Sequence, residues 1–322
     1  MNNMTMATAS LEENDPAISE DDPAISEDDP AISEAPPQKR NRPGRSSRRR
    51  KAKLRAIQEA EEKLWNGEIE PIKGTPNDRD RIWPGVLERR SVKWLDADET
   101  ALVGQLGYLP GNAVAVAARS SQVPKLKIEG DVPIVLQLYP IAVRDAYAGG
   151  KSDGRKFKGR KRGPSKQPDP NDEDKDAEEQ HLIEPFPTMY WVTHPLLRTL
   201  TSKLELGQSH NVKILEKLLS TNETALESMK TAHIAYGEGR WKLLTEGDQT
   251  EMESRQWKGA LAEKTGVAGI RKPFAIKCLH AHLAHHLSGG PGSEENVVGK
   301  WVLEELCNIV EARTKAIQHQ DS

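Results

Sequence analysis

Residues able to carry chemistry concentrate in one short stretch, "IKCLHAHLAHHLSGGPG", residues 276–292. Cys278, one of two cysteines, stands there with His280, His282, His285 and His286, four of the nine histidines. Thiolate and imidazole are the ligands that zinc prefers, so the stretch raises a metal site first. On a helix turning by about 100° per residue, with Cys278 as origin, His282 falls near 40° and His285 near 340°, on one face. Ile276, Leu279, Leu283 and Leu287 form the apolar stripe, and His280 borders it. One helix seldom supplies three ligands, so a fourth would have to come from elsewhere. The competing reading is a solvated, histidine-rich face behind an amphipathic helix. A second group, His233, Tyr236 and Arg240, shares a face at i, i+3 and i+7 of a helix expected at 222–244. Such a face can hold a bound anion or make hydrogen bonds between elements. The phosphate-cradling glycine loop, the dinucleotide turn, the HExxH pair, the calcium loop and the GxSxG elbow are all missing from the sequence.

The elements that must position these groups follow from periodicity and punctuation. "DADETALVGQLG" reads as a helix with Asp96 or Asp98 as its cap and Gly107 as its stop. "NAVAVAARS" alternates as a strand, "VPIVLQLYPIAV" reads as a second, more buried strand, and "FPTMYWVTH" as a third. Beyond Pro195 the pattern turns helical, with helices expected at 195–206, 210–219, 222–244, 248–264, 273–288 and 297–317. "STNE", Ser220 to Glu223, fits a capping box for the third of these. Strands followed by helices predict an α+β fold: a small antiparallel sheet of about three strands, then a helical C-terminal half. The folded domain is expected over 83–322.

Ahead of it, residues 1–82 read as a disordered tail containing one marginal helix. Its net charge pattern is segregated: ten acids and no Lys or Arg in residues 1–34, ten Lys or Arg and no acid in 39–55. The acidic part repeats "DPAISE" from Asp15, Asp22 and Asp29, and a proline in every copy forbids a continuous helix. Each copy sets a serine (Ser19, Ser26, Ser33) directly before acids. The basic part, "KRNRPGRSSRRRKAKLR", has the composition of a nuclear-import signal or a nucleic-acid patch. From Ser47 to Trp65 it becomes helical, with Leu54, Ile57, Leu64 and Trp65 on one side. Its cations sit at the N-terminal end and its acids near the C-terminal end, against the helix dipole. A second basic run, 151–166, opens a charged loop expected at 149–183, too polar to pack and too long for a turn. No apolar run approaches the roughly 18 residues of a membrane helix, so no membrane partner is expected. With two cysteines and no leader pattern, a cytoplasmic or nuclear setting is expected.

Several fragments together resemble an uncharacterised, mainly bacterial family, the domain of unknown function numbered five hundred and one. They are "QLGYLPGNAVAVAARS", "PFPTMYWVTHPLLRTLTSKLE", "AHIAYGEGRW", "GVAGIRKPFAIKCLHAHLAH" and "GGPGSEENVVG", in the family's order over roughly 96–300. The resemblance implies an intracellular domain with no established activity. It singles out Arg119, the turn Phe186–Thr188, His233, Tyr236, Arg240, Lys277, Cys278, His280 and His285, and leaves out His282 and His286. Where the family reads Thr-Cys-Pro, this chain has His194 in the middle, an exchange compatible with a ligand role or with a polar strand end.

Two core mechanisms follow. In one, His194, Cys278 and His285, with or without His233, hold zinc, and an open fourth position activates water. In the other, Arg119, Tyr236, Arg240 and Lys277 bind a phosphate-containing or other anionic small molecule, and His233 or His280 acts as general acid or base. The non-enzymatic alternative is an adaptor that meets nucleic acid or an import receptor through residues 39–55 and 151–166.

Overall fold

In the computed structural model, residues 45–66, 82–90, 96–145, 181–207, 212–262 and 265–320 are described. They belong to one compact unit spanning Gly44–Ser322. The acidic repeat, residues 39–44 and the basic run 151–166 lie outside the described residues.

The alternating run at 113–119 forms β1 (Ala113–Arg119), and the apolar run that follows forms β2 (Pro133–Leu138). The expected second strand does not continue to Val143. Pro140 has no N–H to offer a ladder, and its carbonyl accepts from Phe186 N instead. The chain therefore restarts as β3 (Ile141–Asp145), which pairs antiparallel with β4 (His181–Pro185) in a separate two-stranded sheet. β4 takes up the end of the segment expected as loop. The third expected strand shortens to β5 (Tyr190–Val192), and the main sheet has the order β1-β2-β5, antiparallel throughout. β2 is buried on both faces: Ile134 and Val135 join the main core, while Leu136 and Leu138 pack in a second cluster with Leu102 and Leu106.

Helix α1 (Arg45–Trp65) precedes a short α2 (Pro84–Arg89) and α3 (Asp96–Leu106), which supplies Leu102 and Leu106. After the sheets come α4 (Pro195–Leu206), α5 (Val212–Thr221), α6 (Glu223–Leu243), α7 (Glu246–Ser254), α8 (Lys258–Leu261), α9 (Leu279–Leu287) and α10 (Val297–Gln320). The fold is α+β, as the strand-then-helix order predicts. Three helix boundaries differ, each for a local reason. Asn222, not Ser220, caps α6, its side chain accepting from Ala225 N at 2.9 Å. The helix expected at 248–264 is two, α7 and α8, with Gln256 between them at φ 60°. The helix expected from 273 starts only at Leu279, with Cys278 extended at its N-cap (φ −156°, ψ 119°).

Helix α1 is not a free arm. Leu54, Ile57, Leu64 and Trp65 are half-buried, and the helix lies along α4. Arg50 donates from Nη2 to the carbonyls of Leu206 (3.0 Å) and Gly207 (3.3 Å), satisfying orphan acceptors at the α4 C-terminus. Lys203 pairs with Glu61 at 2.8 Å. Packing on α4 offsets the unfavourable charge order of α1. No helix among the described residues is long and apolar enough to cross a membrane.

Where α9 meets α10, Gly299 lets the two backbones touch. A Cβ there would collide with the His282 carbonyl and with His286 Cβ. Gly299→Ala is expected to cost about 2–3 kcal/mol, since backbone and a packed side chain must both move. Urea unfolding followed by circular dichroism would show the drop in midpoint.

Candidate functional site

The second candidate group proves to be a set of clamps. On α6, Tyr236 Oη accepts from Met189 N at 2.6 Å, and His233 Nδ1 accepts from Val267 N at 3.1 Å. Arg240 is wholly buried. Its Nε donates to Leu261 O (2.6 Å), Nη1 to Pro187 O (2.7 Å), and Nη2 to Thr265 O (2.6 Å) and Thr265 Oγ1 (2.7 Å). Longer bonds reach Gly266 O and Ala262 O, both at 3.4 Å. The guanidinium fork is thus filled by carbonyls of the loop after α8 and of the Phe186–Thr188 turn, leaving no donor for a ligand. Burial lowers its pKa, opposed by Tyr236, whose ring lies 5.4 Å below the guanidinium carbon. Arg119, at the end of β1, is also committed: Nη2 meets Asp98 Oδ2 at 2.6 Å and Nη1 reaches the Asp131 carbonyl at 3.4 Å. Asp98 is a buried partner in the first turn of α3, which begins at Asp96. Of the expected anion-binding residues, Lys277 alone is exposed, together with Arg271 and Lys272 in the same segment.

The histidines of α9 divide. His282 and His285 are fully buried, so the polar face drawn from spacing points inward. Asn296 organises both. Its Oδ1 accepts from Gly299 N (3.0 Å), which fixes the amide orientation, and from His282 Nδ1 (3.1 Å). Its Nδ2 donates to His282 O (3.1 Å) and His285 Nδ1 (3.0 Å). His285 Nε2 then donates to Pro291 O at 2.8 Å. Both His285 nitrogens are spent, and its ring stacks on Tyr190 and meets Tyr236 edge-on at 4.8 Å. Burial pushes His285 down to about 4 and His282 to about 3, with neighbouring rings adding to the shift. His233 falls to about 4 for the same first reason, against the pull of the Pro273 carbonyl. These are neutral core rings. His194 holds the N-cap position of α4, half-buried, its pKa lowered to about 4 by desolvation and its buried Nδ1 without a partner.

His194, Cys278 and His285 bring no three ligand atoms together among the described residues, and Cys278 stands in another group. Its neighbours are His280, at the start of α9, and Glu205, in the last turn of α4. Cys278 Sγ lies 3.8 Å from His280 Nδ1, and Glu205 Oε1 lies 3.0 Å from the same nitrogen. Glu205, Cys278 and His280 each offer one ligand atom, all within 4.8 Å of one another, the one such group of three among the described residues. Two features build this cluster. Glu205 Oε1 caps α9, accepting from Leu279 N (2.6 Å) and, more weakly, from His280 N (3.4 Å). On the far side of the ring, His280 Nε2 donates to Arg198 O at 3.0 Å, with Ser202 Oγ at 3.2 Å. His194 stands at the other end of α4, about 16 Å along the axis from Glu205.

The charges of the cluster compensate one another. Burial disfavours a charged His280, but hydrogen bonds to Cys278 and Glu205, the Glu205 charge and the Arg198 carbonyl together raise its pKa to about 10. Burial alone would raise Glu205, yet its hydrogen bond to His280 and the charge there bring it below the usual carboxylate value. His280 and Glu205 side chains are 22 % and 24 % exposed, so solvent reaches the cluster.

The fold and site define a class: an α+β domain with two interior imidazoles locked by an asparagine and an accessible Glu–Cys–His group at a helix start. Residues 128–304, more than half of the 322-residue chain, match the family described as protein of unknown function (DUF501), and the chain belongs to that family. No curated protein and no solved structure matches it. The matched span contains Glu205, Arg240, Cys278, His280 and Asn296, while Arg119 and α1 precede it.

Sequence reasoning picked out Cys278 and His280 but missed Glu205 and Asn296. A signal existed for each. An acid in the last turn of a helix opposes the dipole unless something cationic or N–H-rich faces it. An asparagine directly before an apolar periodic run, as in "EENVVG", marks a helix cap.

Proposed function

We infer that this domain binds a single zinc-like divalent ion through Glu205, Cys278 and His280, and that the centre meets an anionic ligand in solvent. The carrying observation is the arrangement around His280. Its Nε2–H is held by the Arg198 carbonyl, so Nδ1 is the atom turned toward Cys278 and Glu205, the outer-shell pattern of metal-bound histidines. At a tetrahedral zinc the S···N edge is about 3.5 Å and the N···O edge about 3.3 Å, from bond lengths near 2.3 and 2.0 Å. The corresponding separations of 3.8 and 3.0 Å bracket that geometry. Three protein ligands leave one position for water or a substrate oxygen, which suits hydrolysis of a phosphate-containing or other anionic ester. Lys277, exposed and next to Cys278 in the chain, is the cation that would draw an anionic ligand toward the centre.

The ion replaces the proton on His280 Nδ1, so binding must release protons and weaken as pH falls. Calorimetric titration of the full chain with zinc, repeated in buffers of different ionisation enthalpy, should give one ion per chain and at least one proton released. Cys278→Ser, His280→Gln and Glu205→Gln should each lower affinity by at least tenfold, since even outer-shell losses cost roughly 10- to 100-fold. Equal zinc uptake by all three variants, with only their stability changed, would assign the cluster to capping α9 and sink the metal reading.

A further inference from the structure

We propose that the outer face of α1 is a docking surface for the phosphate backbone of a nucleic-acid duplex. Arg48, Lys51 and Arg55 recur at i, i+3 and i+7, on the side of α1 away from Leu54, Ile57 and Leu64, which face the domain. All three are exposed, as are the flanking Arg49 and Lys53, and none has an ion-pair partner among the described residues. No acid occurs in α1 before Glu59. The row spans about 10 Å at 1.5 Å per residue.

Three observations bear on the occupant. The cations stand at the end of α1 where the helix dipole is already positive, and Arg48–Lys51, Lys51–Arg55 and Arg49–Lys53 are like-charge neighbours at i, i+3 or i+4. Both arrangements oppose the helix, and a polyanion laid along the face reverses both penalties. Second, the row is fixed: Arg50 bonds to Leu206 O and Gly207 O, and Glu61 pairs with Lys203. An acidic receptor that reads an extended basic peptide would have to unwind this segment from α4, whereas a rigid duplex backbone needs no such change. Third, α1 carries no aromatic residue before Trp65, which faces inward. Binding of single strands normally uses stacking platforms, and none is offered. Contact through the three cations of the row, with Arg49 at its margin, would be indifferent to base sequence and steeply salt-dependent.

The test is fluorescence anisotropy of a labelled DNA duplex with the full-length chain over a range of KCl. The plot of log K against log salt should have a slope of roughly −2.7 to −3.6, one phosphate per engaged cation. Replacing Arg48, Lys51 and Arg55 together by alanine should reduce affinity at least tenfold at low salt and flatten the slope by about 2.7. These residues are exposed, so circular dichroism should show the helix retained. Arg50→Ala, which keeps the outer row but loosens α1 from α4, should weaken binding less than the triple variant. Unchanged affinity and slope in the triple variant would overturn the proposal, as would tighter binding to a single strand than to the duplex. Capture of an acidic import receptor by the wild-type chain, with no duplex binding, would overturn it too. Zinc plays no part in this contact, so its outcome is separate from that of the metal reading.

Discussion

Arg240→Ala is expected to lower stability by about 4 kcal/mol or more, a large share of the roughly 5–15 kcal/mol that holds a domain together. The guanidinium makes its closest bonds to the carbonyls of Pro187, Leu261 and Thr265 and to the Thr265 hydroxyl. Its loss leaves those buried acceptors unpaired at about 1–3 kcal/mol each, partly relieved by entering water, and opens a side-chain-sized cavity. Arg240→Lys should recover little, because a point charge with three donors cannot span both the turn at 187 and the loop at 261–266. Urea unfolding gives the magnitude, and loss of near-ultraviolet circular dichroism ahead of the far-ultraviolet signal would place the damage in tertiary packing. A loss below about 1 kcal/mol, the value of a single ordinary hydrogen bond, would contradict the clamp role.

The second large effect is acid lability. His233, His282 and His285 are neutral in the fold, with pKa values near 4, 3 and 4, against about 6.5 in an unfolded chain. Between those limits the unfolded state binds more protons, so stability falls as pH drops. The full contribution is present above about pH 6.5 and declines progressively toward pH 4 for His233 and His285 and toward pH 3 for His282. By pH 5 each ring should cost on the order of 2 kcal/mol, so the three together should bring the domain close to unfolding. His280 has the opposite sign. With its pKa raised to about 10 it stabilises the metal-free fold most below pH 6.5 and loses that contribution as pH rises through 10. Thermal melts of the metal-free protein should therefore show Tm highest near neutrality and falling steeply below pH 6. A Tm that stays flat from pH 7 to 4.5 would show that the rings do not remain buried and neutral.

What the sequence made legible was local. Period-two alternation located β1, a continuous apolar run located β2, and apolar periodicity located α4, α6 and α10. The run through Val143 failed at Pro140, where the missing N–H outweighs β propensity. Cys278 fell outside its expected helix because the chain enters α9 extended, and that displacement dissolved the face joining it to His282 and His285. What remained hidden was long-range. Glu205 meets His280 across 75 positions of sequence and Arg240 meets Pro187 across 53, contacts that no periodicity encodes. Residue type misled as well: three imidazoles and a guanidinium with the look of ligands and catalysts are held by backbone carbonyls, one backbone N–H and one asparagine. Cys278 and His280 were visible as candidates, but their shared partner was not.

Glu205, Cys278 and His280 would each give the ion one atom, so the decisive measurement is zinc K-edge X-ray absorption of the full-length protein loaded with one equivalent of zinc. One sulfur near 2.3 Å and three nitrogen or oxygen scatterers near 2.0–2.1 Å, with the sulfur shell lost in Cys278→Ser, is the result expected. Absence of a sulfur shell, or a spectrum unchanged by Cys278→Ser, would contradict it.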